Sequence, residues 1–469
     1  MSIKIIAEKF FKIEEELGLF DIKIRDVYFW ELIRFKVFQK IAESSSLYGE
    51  SNAKNKLTIK TGFIFLFNTF KNLLFKNPFF ASKCDFLFIG SPRRKLLEDN
   101  LWWDLCCDPF IEKIKNDYKC IVFEKPYRNN HFSPSKTKDL FYIDFINAFF
   151  SVFARFKINK KFKATECCLI SEIEKRIEKT FGVKILLGQD IYCQINVQKK
   201  VVPIFRLLLR RVRPAVVVII CSYGNEAVIQ ACKQLSICTV ELQHGILSKY
   251  HLGYSFPGNS AAKRCFPDFF LSFGDYWNGL VQFPIAAERV VSIGYPFFEM
   301  EAEKYRYEPK RNQIIFISQG VIGRELSKFA IELSLRQDFS AEIIYKLHPG
   351  EYGRWRNEYP WLVDSGVKVV EEESGPLYKL LSQSILQVGV FSTVIYEGLG
   401  LGLPTCLVDL PGVEYMDKLI EMNAVVRVND VDELVANFNN LQCAPASADN
   451  FFKSGAVDNM YDFFKKLSF

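Results

Sequence analysis

Two of the four histidines in this chain stand in short strings that directly follow apolar runs, and those strings carry the densest chemistry in the sequence. In Glu241-Leu-Gln-His-Gly-Ile, Gln243 and His244 meet a glycine that permits a tight turn at the end of ICTV. In Lys346-Leu-His-Pro-Gly-Glu, after AEIIY, a cation and an imidazole precede Pro349, which forces an extended exit. Lys346 and His348 at such an edge can hold a diphosphate or a nucleotide monophosphate without a metal. Taken singly, His244 and His348 read as hydrogen-bonded structural histidines. Taken as a pair, one in each half of the chain, they read as two sides of a cleft.

Two further strings follow apolar runs. Gly389-Val-Phe-Ser-Thr-Val-Ile-Tyr-Glu-Gly ends a strand at Phe391 and opens a helix at Ser392 and Thr393. Hydroxyls and free backbone N–H groups then point at one spot, an anion site by helix-terminus physics; the alternative for Ser392 is a plain N-cap. Glu397, about one turn further, is placed to accept from ribose hydroxyls, or is an acid favourable to the helix dipole. Ser318-Gln-Gly-Val-Ile-Gly-Arg supplies Ser318, Gln319 and Gly320 as ligand contacts, with Arg324 behind them, or is an ordinary strand-to-helix loop. Asp104 and Asp108 in WWDLCCDPF share a face if that stretch is helical, either as solvated surface acids or as a base from the first half. No GxSxG, HExxH or Walker A signature occurs.

The elements that must position these residues follow from apolar patterning. Short apolar runs, each followed by a polar turn and a helical stretch, begin at Lys83 and resume after a mostly helical middle from 139 to 209. A second series starts after the polar segment 300–312: QIIFIS, AEIIYK, VKVV, ILQVG, PTCLV and AVVRV. This alternation predicts parallel sheets flanked by helices, with ligands at the carboxyl ends of the strands. At 469 residues the chain exceeds one hydrophobic core, so two α/β domains are expected, 83–300 and 301–445. Residues 1–82 read as a helical extension, with Phe29, Leu32, Ile33, Val37 and Ile41 on one helix face; residues 446–469 read as a helix that crosses back.

Within the extension, residues 61–80 are rich in Phe and Leu but carry Asn68, Lys71, Asn72 and Lys76. That polar edge argues against a membrane span and leaves two readings, a helix packed on the protein or one lying in a membrane interface. The 13 cysteines form no CxxC pair and no Cys/His cluster of zinc spacing, which predicts buried, reduced thiols and no metal. The N-terminus lacks the apolar run and cleavage site of a signal peptide, and the expectation is a cytoplasmic chain. A net charge of +7 fits anionic partners, but 54 acidic residues interspersed with 61 basic ones leave no dense Lys/Arg stripe for nucleic acid.

Together the strings resemble bacterial glycosyltransferases of the two-Rossmann, GT-B type that build capsule, lipopolysaccharide and other surface carbohydrate. The resemblance rests on VYFWELIRFKVF, ELQHGIL, VVSIGYP, KLHPGE and GVFSTVIYEGLGLGLPT and spans most of residues 20–440, leaving 45–80 and 120–210 unassigned. The HP and Ser/Thr elements are similar to those of bacterial sialyltransferases and Kdo transferases, which use CMP-sugars, and of polyglycerol-phosphate transferases, which use CDP-glycerol. The resemblance implies two Rossmann-like domains facing a cleft. It also implies donor-phosphate contacts from His348 and Pro349, a phosphate-binding helix at Ser392 and Thr393, and Glu397 on the ribose side. The acidic triplet that supplies the base in sialyltransferases is absent, so the catalytic set becomes His244 as base, Gln243 beside it, and Lys346 assisting phosphate departure. The implied substrates are a nucleotide-sugar, CMP-linked by preference, and a growing surface glycan or lipid-linked acceptor, with no bound cofactor. The implied place is the cytoplasmic face of the inner membrane, in peripheral contact. Alternatives on the same architecture are a nucleotide-sugar 2-epimerase and a noncatalytic scaffold of a polysaccharide assembly complex.

Overall fold

The computed structural model describes residues 2–44, 68–91, 94–127, 130–146, 162–257, 264–371, 376–438 and 448–467. The apolar runs become the strands of two parallel sheets. The first has seven strands: β1 (Phe86–Ile89), β2 (Cys120–Glu124), β3 (Leu140–Tyr142), β4 (Val216–Ile219), β5 (Cys238–Leu242), β6 (Phe269–Ser272) and β7 (Val290–Ser292). Their order is β7-β6-β5-β4-β1-β2-β3, and every pairing is parallel. The second has six: β8 (Gln313–Ile317), β9 (Glu342–Lys346), β10 (Val367–Val370), β11 (Leu386–Gly389), β12 (Thr405–Val408) and β13 (Val426–Val428). They run β10-β9-β8-β11-β12-β13, again all parallel. Both sheets are Rossmann-like, and the strand order reverses between β1 and β4 and between β8 and β11, the switch points where such sheets open a crevice.

Continuous burial of strands such as FLFI at β1, VVVI at β4 and QIIFI at β8 follows from helices covering both faces, which is why these runs are apolar without alternation. The expected helical middle, 139–209, is corrected at its start. Leu140–Tyr142 forms the edge strand β3, too short to show a period and buried only at Leu140.

The N-terminal extension opens with two helices, and the stretch between them is itself structured. Between α1 (Ile3–Glu16) and α2 (Trp30–Ser44) lie a 3-10 turn and a small hairpin whose turn residues, Arg25 and Asp26, both have positive φ. The two helices are clasped by a buried pair, Arg34 Nε to Glu14 at 2.7 Å, with Trp30 Nε1 donating to the same carboxylate at 2.6 Å. Arg34 also donates to the carbonyls of Leu252 and Ser255, which fastens the extension to the segment after His244. Of the Phe-rich segment, 61–67 lies outside the described residues, and 68–75 is helical. Its Asn72 turns inward to Asp144 at 3.4 Å, while Phe70, Leu74 and Phe75, with Phe80 beyond, face solvent. No helix among the described residues is long and apolar enough to cross a membrane.

The end of the chain is two helices broken at Ser454-Gly455, not one, and it returns to the first half. Between α3 (Asp108–Ile114) and the last helix, Ala456–Lys466, the Phe110 and Phe464 rings stack 5.2 Å apart. Gly294, at the exit of β7 with φ +102°, lies so close to this return that a Cβ would sit 2.1 Å from the Lys453 carbonyl. A single apolar cluster joins the second sheet to Phe270, Phe273, Trp277 and Phe297 of the first half, so the two halves share a core.

Candidate functional site

In the second half, β9, β8 and β11 are adjacent and parallel, so their carboxyl ends share one edge. With strands about 4.8 Å apart, the three ends span about 10 Å across the switch point. They carry His348, Ser318 and Ser392. What binds the first two together is Glu351, fully buried. One oxygen accepts from Ser318 Oγ at 2.9 Å and Tyr359 OH at 2.8 Å, the other from the His348 N–H at 2.7 Å. Burial pushes this carboxyl up, and the three donors oppose that push. A Cβ on Gly323 would sit 2.2 Å from Glu351 Oε1, so only glycine lets the next helix, Gly323–Ser334, start beside it.

His348 is half-buried, and its Nδ1 accepts from the Gly350 N–H at 3.0 Å. A neutral ring so held carries its proton on Nε2, which makes it a donor to an anion. Pro349 is exposed beside it. Lys346 leans the other way, toward β10, with Nζ 2.6 Å from Tyr352 OH and 3.3 Å from the Glu371 carbonyl. Gln319 is half-buried and Gly320 exposed in the turn after β8. Arg324 is drawn onto the Trp361 ring at 5.2 Å; the guanidinium at this turn is Arg354 instead, its Nη2 3.4 Å from where a Gly320 Cβ would be. Glu351 closes the KLHPGE string but was given no role there, and no motif in the sequence points to Arg354, which follows that string by three residues.

The helix α8 (Thr393–Gly400) starts at the end of β11. Ser392 is its N-cap, with Oγ accepting from the Val394 N–H at 3.3 Å, and Thr393 is half-buried. A Cβ on Gly245 would stand 3.8 Å from Thr393 Oγ1, so the helix N-terminus opposes the His244 turn of the first half. Trp277 of the first half packs on Tyr396 at 4.4 Å and anchors this approach. Glu397 lies beyond the first turn of α8, not within it. It is 7% exposed, and burial pushes its carboxyl up to about 7, against a hydrogen bond with Tyr378 and the charge of Lys95 from the first half.

Across the seam, His244 is exposed at the end of β5, with Nε2 3.2 Å from Tyr223 OH and Nδ1 3.2 Å from Tyr254 OH. Gln243 is buried and its amide serves the backbone: Nε2 donates to the Gly245 carbonyl at 2.9 Å, and Oε1 accepts from the Phe273 N–H at 2.8 Å. Glu241 is fully buried; burial pushes it up to about 7, with Tyr254 OH at 2.5 Å and the Ser222 N–H at 3.0 Å opposing.

Asp104 and Asp108, read as surface acids sharing a helix face, are corrected on both counts. Both are fully buried, and only Asp108 lies in α3. Asp104 accepts from the N–H groups of Ser91 and Cys106 at 2.7 and 3.0 Å, and Arg94, its side chain closed to solvent, pairs with Asp108 and Glu124. The buried guanidinium replaces the water these acids would otherwise need. Burial pushes Asp108 to about 6. The sequence also carries an Asp-x-Asp triplet, Asp430-Val-Asp432, which is engaged elsewhere: Asp430 accepts from the Glu433 N–H at 2.9 Å, and Asp432 pairs with Arg336. Among the described residues no group of three His, Cys, Asp or Glu is placed to hold a metal ion.

No family model and no curated protein matches the chain. Solved structures that align with it include UDP-GlcNAc 2-epimerase from Neisseria meningitidis bound to UDP-GlcNAc, at 14% identity over 81% of this chain and 99% of that one, with a TM-score of 0.46. UDP-GlcNAc 2-epimerase from Methanocaldococcus jannaschii aligns at 10% identity over 82% and 99%, TM-score 0.47. The wall teichoic acid polymerase TagF aligns at 11% identity over 88% and 100%, TM-score 0.44. At these values the likenesses carry nothing about chemistry, and the double Rossmann-like architecture rests on the strand orders themselves.

Proposed function

We propose that the chain is a glycosyltransferase that moves a sugar from a nucleotide-activated donor, seated at the second sheet, to an acceptor hydroxyl at His244. The observation that carries this reading is the opposition of an anion seat and an imidazole across the seam. The N-terminus of α8, the Ser392–Thr393 hydroxyls and a donor-form His348 lie at one switch point, and Thr393 meets the turn that bears His244. Helix N–H groups, His348 Nε2–H and Arg354 stabilise charge as the phosphate departs, so no metal is required. Glu397, whose carboxyl burial pushes up to about 7, adds less repulsion to a phosphate at its own helix than an ordinary ionised carboxylate would. His244 accepts the proton of the attacking hydroxyl. Gln243 keeps the His244 turn rigid, and Lys346 braces the loop after β9. Ser318, Gln319, Gly320 and Pro349 line the nucleotide side. Closure of the halves excludes water from the donor.

The resemblance of the HP and Ser/Thr strings favours a CMP-linked donor. A lipid-linked acceptor suits the apolar face of Phe70, Leu74, Phe75 and Phe80, with Lys71, Lys76 and Lys83 in the same stretch, a combination that seats a protein on an anionic bilayer. A nucleotide-sugar 2-epimerase is the second reading.

The test is thermal unfolding against CMP, CDP, UDP, GDP and dTDP, with and without EDTA. A nucleotide at 100 times its dissociation constant adds about 2.7 kcal/mol of apparent stability. A shift with a cytidine nucleotide, indifferent to EDTA and absent in His348→Ala, is the expected result. A shift with UDP alone, together with deuterium incorporation at C2 of UDP-GlcNAc in heavy water, turns the reading to the epimerase. No shift with any nucleotide refutes both and leaves the scaffold.

A further inference from the structure

His244 is gripped at Nδ1 by a tyrosine that has only one proton to give. We propose that Glu241 is a positioning residue which, through the Tyr254 hydroxyl, fixes His244 with its proton on Nδ1 and leaves Nε2, beside the Tyr223 hydroxyl, as the nitrogen that can take a proton from the acceptor. The inference rests on the reading of His244 as the base and deepens it. Tyr254 OH lies 2.5 Å from Glu241 Oε1 and 3.2 Å from His244 Nδ1. An ionised carboxylate can only accept, so it takes the tyrosine proton. The tyrosine oxygen is then free only to accept, and the group facing it must be Nδ1–H. A neutral imidazole has one N–H, so Nε2 is left with its lone pair, facing Tyr223 OH at 3.2 Å. When Nε2 takes a proton, the resulting cation is held through Tyr254 to the carboxylate behind it, which keeps the base basic.

Three observations outside that chain of contacts support it. Glu241 sits in the middle of a sheet with no solvent contact, and its Oε2 has no hydrogen-bond partner among the described residues. Its carboxyl is pushed up to about 7, so the arrangement engages as the pH rises through neutrality. Tyr254 is itself fixed from outside, since Arg34 of α2 donates to the carbonyls of Leu252 and Ser255 on either side of it. His251, buried beside the imidazole, is pushed down to about 4 and stays neutral. Cys221 and Tyr223 come from the loop after β4, Phe35 of α2 packs on Tyr223 and His251, and Lys125 and Glu226 lie behind Gly224. Thr393 faces from α8.

The experiment is long-range proton–nitrogen correlation NMR on the full chain carrying ¹⁵N-histidine, from pH 6 to 9, with the His244 signals assigned by His244→Gln. The wild type is expected to show His244 as the Nδ1–H form at pH 8. Tyr254→Phe, which removes one hydroxyl, should turn it to the Nε2–H form. Glu241→Gln, which keeps the shape and removes the charge, should lower the His244 pKa by about one unit. An Nε2–H wild type, or a Tyr254→Phe variant with the wild-type tautomer, overturns the proposal. A Glu241→Gln variant with unchanged His244 pKa overturns the part given to Glu241. Should Glu241→Gln fail to fold, as the signals of the other three histidines would show, Tyr254→Phe carries the test. The readout needs no substrate. A protein that shows the Nδ1–H form but no transfer refutes the transferase reading alone, and a transferase with the other tautomer refutes this inference alone.

Discussion

Replacing Glu397 by Gln should make the protein more stable at alkaline pH than at acid pH relative to the wild type, and the size of the effect follows from the burial of that carboxyl. Glu397 is raised from an ordinary 4.5 to about 7, chiefly because its position on α8 is closed to water. A folded-state pKa above the unfolded one means that the folded protein binds this proton more tightly. The stability so contributed is fully present below about 4.5 and is lost as the pH rises through about 7. At about 1.4 kcal/mol per pH unit across that interval, the loss is at most about 3 kcal/mol. Glutamine keeps the shape of the neutral acid and a group able to bond Tyr378, but cannot ionise. Urea unfolding of wild type and Glu397→Gln at pH 5, 6, 7 and 8.5 measures the difference. Tryptophan fluorescence suits the purpose, because Trp277 is fully buried against Tyr396. The difference between the two proteins should grow in favour of Gln by about 3 kcal/mol from the lowest to the highest pH. A difference that stays flat across the series refutes the argument, because it would mean that Glu397 is already ionised in the folded protein at pH 5.

Gly323→Ala should destabilise by about 1–3 kcal/mol in denaturant unfolding, because its Cβ would press on Glu351 Oε1, and should weaken any nucleotide-induced thermal shift along with it. Arg354→Ala should leave stability within about 0.5 kcal/mol, since the side chain is a third exposed, yet reduce the nucleotide-induced shift; an unchanged shift would remove Arg354 from the anion seat. Phe70→Ser with Phe75→Ser should abolish sedimentation with anionic vesicles at low salt while leaving thermal unfolding unchanged, because both rings are already in solvent. Wild-type protein that stays in the supernatant under those conditions would rule out the bilayer seat.

The candidate site was legible in the sequence to the extent that its residues sit at strand ends. ELQH, KLHP and VFST each follow a run of apolar residues, and in a parallel sheet all strands end on one edge, so patterning alone brings Ser318, His348 and Ser392 together. The fold was readable for the same reason, since a strand covered on both faces must be apolar throughout. β3 escaped because three residues at a sheet edge carry no period, and the small hairpin at 23–28 escaped because its turn depends on two positive-φ residues of ordinary type.

Burial of charge was beyond the reach of patterning. Asp104 and Asp108 read as solvated surface acids, and nothing in the patterning marks Glu241, Glu351 or Glu397 as enclosed, yet all five are buried. What decides whether an acid can be enclosed is the set of donors around it. For Asp108 these include Arg94 and Thr137, 14 and 29 residues away; for Glu241, Tyr254, 13 residues on; for Glu397, Tyr378, with Lys95 from the other half. No local spacing encodes such partners. The sequence by itself determined which residues lie at the strand ends, because strand and turn preferences act over a few neighbours. Only the tertiary structure decided which of those residues hold a proton and which can offer one, because desolvation and hydrogen bonding depend on side chains that the chain brings together from far apart.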